Sequence, residues 1–478
     1  MMNGTYRTIL LCLVCVLLLP FAAGCAGTGT EEGLLLDTAG ETWTMGFGST
    51  EIGIPADEQL YLAGYHNGWE IGDVLDAQRA NALWLDAGGN GILWISVDCV
   101  GLLRGTVNEI RRALDAFCRE TGCAAVNVCS THDHAGIDTM GLWGPAAQNG
   151  KNEVYMENLV RAAADAAKKA YEDRTTGRLF YGTADTGNLQ RDSRAPYEYD
   201  NTLYQLRFVP DNGGNGIRIL NYQAHAESLR GDNRLVSRDY PGDVSDRIGA
   251  ETGDRVFFTQ GAIGGLIMTE VQTPAEEPFD AVKNMRATGE RLASYALSVG
   301  EKDERELSPS LSLARVTLDV PLDNTMFLYY KFLGILSTEA VPYRESATGY
   351  AIESELSILR MGDVTFAMIP GELYPELKSG VGLHPENGDP EALDTIAARY
   401  GADTFLVCGL ANDEVGYIVT PSDFRVNETL PYVLRSEDEH GEDHYEETNS
   451  AGPMTAAVIA DALERAFAAF GNERRKNT

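Results

Sequence analysis

The stretch from Gly91 to His134 constrains the fold more than any other part of the chain. It opens with GILWISVDCVGL (Gly91 to Leu102), a nearly continuous apolar run rich in branched and aromatic side chains, the pattern of a buried strand. VNEIRRALDAFCRETG follows, with Val107, Ile110, Leu114 and Phe117 at helical spacing and Gly122 where a helix would stop. CAAVNVCST is a second strand, and it runs out into His132-Asp133-His134. Strand, helix and strand in succession predict a βαβ unit. In sheets built from such units, ligands gather at the carboxyl ends of the strands. Two histidines stand at that place.

The remainder keeps alternating. VYMENLVRAAADAAKKAYED is a strong helix, and IRILNYQAHAESL is a strand that ends in His225. RVFFTQGAIGGLI and VTFAMIPGELYPEL each read as a strand breaking into a glycine-containing turn, and MTAAVIADALERAFAAF closes the chain as an amphipathic helix. Length alone would allow about three average domains. No repeat or low-complexity linker interrupts the pattern after Gly33, so the expectation is one large mixed α/β domain over residues 37–478.

The N-terminus is of another kind. Arg7 precedes an apolar run from Ile9 to Ala23, too short for a comfortable membrane span and flanked as a secretory signal is. Ala22, Ala23 and Gly24 before Cys25 look like a bacterial lipoprotein cleavage box. Residues 1–24 are therefore expected to be a signal peptide. Cys25 is the expected lipidated first residue, and 25–36 a flexible tether. Lipid on Cys25 would hold the protein on the outer face of a bacterial membrane. The formal charge of −33 argues against nucleic acid as a partner, since so acidic a surface repels phosphate. After Cys25 come Cys99, Cys118, Cys123, Cys129 and Cys408, with no C-x-x-C pair to hold zinc. Cys99 and Cys129 read as buried small hydrophobes, and Cys118 with Cys123 could pair in an oxidising compartment.

Strand side chains alternate faces, so His132 and His134 are expected to point the same way and could line one site. A catalytic zinc takes three protein ligands and keeps a position open. His225 and Glu372, each at a strand exit, are candidates to complete the set. The chain has no His-Glu-x-x-His, Gly-x-Ser-x-Gly or Walker motif, and Gly136-Ile137 stand where a metallo-β-lactamase-type site needs Asp-His.

Several segments in order resemble the neutral (non-lysosomal) ceramidase family in its catalytic domain. They are MGFGSTEI (Met45 to Ile52), YLAGYHNG (Tyr61 to Gly68), STHDHAG (Ser130 to Gly136), NLQRDSRAPYEYDN (Asn188 to Asn201), PGELYPEL (Pro370 to Leu377) and GLANDEVGYIVTPSDF (Gly409 to Phe424). The family's C-terminal immunoglobulin-like domain is expected to be absent. The resemblance implies one Zn2+ per chain held by His132, His225, Glu372 and Tyr417. It places His134 beside the metal as a catalytic residue and Arg191 near the reacting carbonyl. Glu414 holds a place where the family segment is rich in tyrosine. It further implies a small-molecule or lipid amide as substrate.

One departure shapes the expected chemistry. The family's Gly-Asp-Val-Ser-Pro motif, with its nucleophilic serine, is replaced by Gly261 to Gly265, which carry no hydroxyl. The letters GDVS recur at Gly242 to Ser245, in a context that reads as the opening of a helix, and Ser245 is expected to be a surface helix residue. The expected mechanism is amide cleavage by metal-activated water, with His134 as proton shuttle and Arg191 stabilising the oxyanion. The alternative is an inactive lipoprotein that binds lipid or glycan and keeps the fold and the metal. The acidic run Ser436 to Glu447 is expected to be a solvated loop.

Overall fold

Alternation of side chains along the strands sorts the core into layers. The computed structural model describes residues 32–265, 267–269, 280–438, 441 and 443–472, which form one mixed α/β domain. Nine strands make the larger sheet. Its path runs Arg255–Gln260, Ile217–Tyr222, Thr202–Pro210, Thr175–Asp185, Trp43–Glu51, Arg79–Asp86, Ile92–Val97 and Val126–Ser130, with Glu304–Leu307 paired to Thr175–Asp185. Six strands make the smaller one, in which Gly33–Ala39, Ser310–Leu322, Tyr350–Met361, Val364–Met368 and Thr404–Cys408 lie in order and Ala340–Pro342 pairs with Tyr350–Met361.

Inward residues of both sheets share one apolar cluster. Trp94 meets Phe257 of its own sheet and Phe366 of the other edge-on, at ring separations of 5.1 and 5.2 Å. Outward residues pack under helices. Glu153–Asp173 lies on the larger sheet through a run of buried alanines, close enough that a Cβ on Gly48 would come within 2.0 Å of the Ala166 carbonyl oxygen. That contact explains the glycines of MGFGSTEI. The closing helix Thr455–Asn472 covers the outer face of the smaller sheet with Ile459, Leu463 and Phe467.

Most pairs within the two large sheets are antiparallel, but three are parallel, and these position the candidate site. Ile92–Val97 with Val126–Ser130 is the expected βαβ unit, joined by the helix Arg104–Thr121. Ile217–Tyr222 with Arg255–Gln260 is joined by Asp239–Thr252. Val364–Met368 pairs with Thr404–Cys408 in the second sheet. His132, His225, Glu372 and Tyr417 each follow the carboxyl end of a strand from one of these pairs.

The domain begins earlier than residue 37. Gly33–Ala39 is a strand paired with Ser310–Leu322, and Leu36 is buried, so part of the expected tether belongs to the sheet. The expected signal peptide and Cys25 lie outside the described residues. Among the described residues no helix is long and apolar enough to cross a membrane.

A buried ion group ties the helix Arg104–Thr121 to the second sheet. Glu355 is fully buried and meets Arg111 at 2.7 Å and Arg315 at 3.1 Å. Burial opposes its charge, but the two guanidinium groups outweigh it and lower the carboxyl from 4.5 to about 2. A lowered carboxyl adds stability above its unfolded value and loses it as pH falls toward the folded one. Glu355→Gln should therefore cost about 3–5 kcal/mol at pH 7. In thermal unfolding, the gap between the native chain and the variant should narrow as pH is taken from 5 down to 2.

Candidate metal centre

His132 reaches the site by a route the strand pattern does not contain. The strand ends at Ser130, and His132 sits in a left-handed backbone conformation with φ 57°. A non-glycine residue held there stores strain, which tends to concentrate at functional sites. The turn is pinned on both sides. The Asp133 amide donates to the Cys99 carbonyl at 2.9 Å, and the His134 amide to the Ala226 carbonyl at 2.9 Å. That second bond brings the exit of the edge strand Val126–Ser130 to the exit of Ile217–Tyr222, one residue past His225. The two imidazoles then converge, with Nε2 of His134 3.0 Å from Nε2 of His132.

His225 lies beneath them, fully buried. Ligand-capable nitrogens of His132, His134 and His225 all fall within 4.8 Å of one another. Glu372 comes in from the second sheet. Its Oε2 is 3.0 Å from His225 Nε2 and 3.4 Å from His132 Nε2. Glu372 is in register with Tyr417 in a short parallel pair, Glu372–Leu373 with Tyr417–Ile418. His132, His134, Glu372 and Tyr417 line one cavity, whose apolar wall includes Val100, Leu103, Leu142, Phe327, Leu336 and Ile352.

The donor set fits a metal. His132 Nδ1 lies 2.7 Å from the Val100 carbonyl and His225 Nδ1 2.8 Å from that of Ile267. When each Nδ1–H donates outward, each Nε2 keeps its lone pair for the centre, the usual outer support of a metal-binding histidine. Tetrahedral zinc with bonds of about 2.0–2.1 Å spaces its ligand atoms about 3.3 Å apart. The separations of 3.0 and 3.4 Å between Glu372 and the two histidines are of that size.

Charges in the site pull against burial. Desolvation opposes ionisation of Glu372, yet the charge of His132 and hydrogen bonds from His132 and His225 hold its carboxyl well below the usual range. Burial, then the charges of His132 and His225, push His134 well below an ordinary histidine. Glu414, on the same cavity wall, goes the other way. Burial and then the charge of Glu372 push its carboxyl well above the usual value. Its Oε1 accepts from the Gly416 amide, while Oε2 is buried without a hydrogen-bond partner.

No family model matches the chain. A neutral ceramidase of Drosophila pseudoobscura pseudoobscura is 27% identical over 228 residues, which is 44% of this chain and 32% of that protein. The match thus spans about a third of the curated relative. Among solved structures, the neutral ceramidase from Pseudomonas aeruginosa superposes with a TM-score of 0.71 at 18% identity, covering 90% of this chain and 75% of that one. A ceramidase complexed with C2 gives a TM-score of 0.68 at 17% identity, covering 90% and 76%. The fold is that of neutral ceramidase.

Within this ceramidase-like frame, the structure separates the expected residues. It brings together His132, His134, His225 and Glu372, with Tyr417 on the same cavity. Arg191 is not among the residues lining that cavity. It pairs through its short strand with Met268, and its side chain is exposed. Arg194 is the arginine that turns inward. It pairs with Asp423, Glu446 and Glu447 at 2.7, 3.0 and 2.9 Å and lies over the ring of Tyr374. The acidic run is likewise not all solvated. His444, Glu446 and Glu447 are buried around Arg194, because one buried guanidinium can satisfy several carboxylates at once.

Ser245 lies in the helix Asp239–Thr252, as expected, and lines a different groove with Arg79 and Arg238. The loop Gly261 to Gly265 is closely packed. A Cβ on Gly264 would fall 2.2 Å from the Tyr374 ring and 2.9 Å from the Glu372 carbonyl oxygen. The loop is pressed against the segment that carries Glu372. Sequence reasoning passed over Glu227, which sits next to the site two residues after His225, and it noted Glu414 only as a departure.

The donor geometry generates a direct expectation. Purified chain, dialysed and analysed by elemental mass spectrometry, should hold about one zinc. His132→Ala and His225→Ala should each lose it, with the fold retained by circular dichroism.

Proposed function

We propose that this chain is a zinc-dependent hydrolase that cleaves an N-acyl amide bond and is tethered to the outer face of a bacterial membrane by lipid on Cys25. The observation that carries the reading is the convergence of three histidines and Glu372 at one end of an apolar cavity. His132, His225, Glu372 and Tyr417 would hold the zinc. When bound, zinc supplies a polarised carbonyl and a water whose pKa falls to about 7, so a serine nucleophile is not required.

The chain's own residues account for the rest. Val100, Leu103, Phe327 and Leu336 exclude water and receive the apolar part of the substrate. His134 is neutral at working pH and can take up a proton on the imidazole. Burial and the charge of Glu372 favour the protonated form of Glu414, which can donate from Oε2 to a polar atom of the substrate. The solved ceramidase complexed with C2 favours a lipid amide over other amides. Loss of a hydroxyl from the glycine loop favours a second reading, a lipid- or glycan-binding lipoprotein that keeps the metal.

A panel of N-acyl amides and esters of varied chain length decides between the two. Turnover of at least one amide should disappear with chelator and return with zinc. Ser245→Ala should leave it unchanged, within about twofold. Full zinc occupancy without turnover across the panel would select the binding protein instead.

The tether is tested separately by fractionating cells that express the full chain. Cys25→Ser should move the protein from the membrane to the soluble fraction.

A further inference from the structure

The three histidines of the centre are not supported alike. His132 and His225 each turn Nδ1 to a backbone carbonyl, at 2.7 and 2.8 Å. His134 does not. Its Nδ1 is buried and has no hydrogen-bond partner. What faces it is a carboxylate, with Glu227 Oε2 3.8 Å away. Glu227 is 8% exposed, and its other oxygen, Oε1, is also buried without a partner. A buried ring nitrogen without a partner and a carboxylate with one unpartnered oxygen thus sit on neighbouring side chains. Buried groups in that condition are rare, and each calls for a reason.

The surroundings are built to hold this pair. The Tyr65 hydroxyl donates to Glu227 Oε2 at 2.5 Å. The same tyrosine ring stands edge-on to His134, with centroids 5.3 Å apart. Gly64 presses against the imidazole so closely that a Cβ there would lie 2.6 Å from Nδ1. The amide of His134 bonds the carbonyl of Ala226, the residue before Glu227, so the two backbones are tied in register.

We propose that Glu227 is a positioning residue for His134, accepting a hydrogen bond from Nδ1–H and being itself held in place by Tyr65. The pairing fixes one tautomer, with the lone pair of Nε2 directed at the centre. It also fixes the ring plane, and a carboxylate does so more firmly than a carbonyl. The arrangement divides labour among the three rings. The two supported by carbonyls are ligands, and the one supported by a carboxylate is the ring aimed at the reacting atoms. The inference rests on the function proposed above for His134, but its test does not depend on turnover alone.

The experiment uses the full chain loaded with zinc and labelled with 15N-histidine. The chain has seven histidines, few enough to assign by substitution. In the native chain the His134 signals should show protonated Nδ1 and unprotonated Nε2. Glu227→Ala should convert this to a mixture of tautomers, while zinc content stays at one per chain. Glu227→Gln, which can still accept the bond, should keep the native tautomer. On whichever amide is turned over, Glu227→Ala should lower kcat about 10–100-fold. KM should change little, Glu227→Asp should restore part of the loss, and Tyr65→Phe should have a smaller effect of the same kind. An unchanged tautomer in Glu227→Ala, or an unchanged kcat with zinc bound, overturns the proposal and leaves the hydrolase reading intact. If no amide is turned over, the hydrolase reading fails, and the tautomer measurement still decides whether Glu227 orients His134.

Discussion

Lone-pair atoms packed together in a dry place require positive charge between them. Nε2 of His132 and of His225 both face Oε2 of Glu372 at contact distance, in a setting where each residue is almost wholly buried. Low local polarity magnifies that requirement. The rest of the architecture serves to hold these atoms in place. Parallel strand pairs bring the chain exits to one end of both sheets, outward-turned Nδ1 atoms set the rings, and a left-handed His132 bends the first exit inward. A site so arranged is preorganised for a cation, and an apolar cavity lies beside it.

The glycine loop shows how chemistry and packing trade places within one fold. Gly261 to Gly265 run against the turn that presents Glu372, and Gly264 donates to the Leu373 carbonyl at 2.9 Å. A side chain at Gly264 would displace Tyr374, so the loop is packed tightly against the turn that carries Glu372. Two carboxyls besides that of Glu372 stand near the three histidines. Glu414 is on the cavity wall, and Glu227 stands behind His134. The two are tuned differently by their partners. One oxygen of Glu414 is fixed by a backbone amide and the other is left for the cavity, while Glu227 is gripped by a tyrosine.

Acidity is spent unevenly across the molecule, although the net charge of −33 suggests a uniformly solvated surface. Arg194 gathers Asp423, Glu446 and Glu447 under the cavity floor, and Arg111 with Arg315 captures Glu355 between a helix and the second sheet. Removing one partner from such a group leaves a buried charge behind, so these few ion pairs matter more than the many at the surface. Glu446 and Glu447 follow directly on Tyr445, another residue of the cavity wall, so the Arg194 group anchors one rim of the site.

Local pattern was enough to read the strands that end at His132 and His225, the helix between Gly91 and His134 and the turn at Glu372, because these depend on periodicity and turn residues within a short window. It also marked Ser245 as a helix residue. It did not separate Arg191 from Arg194, since the two are three residues apart on an irregular segment where no period assigns a face. It placed the acidic run in water, since burial there depends on Arg194, some 250 positions away along the chain. The left-handed turn at His132, the opening of the domain at Gly33 and the pairing of Glu227 with His134 follow from hydrogen bonds between distant backbones, such as His134 with Ala226. The amino-acid sequence by itself determined which side chains were offered at the strand ends. Tertiary structure alone decided which of them meet, because only long-range strand register brings separate exits within bonding distance of one centre.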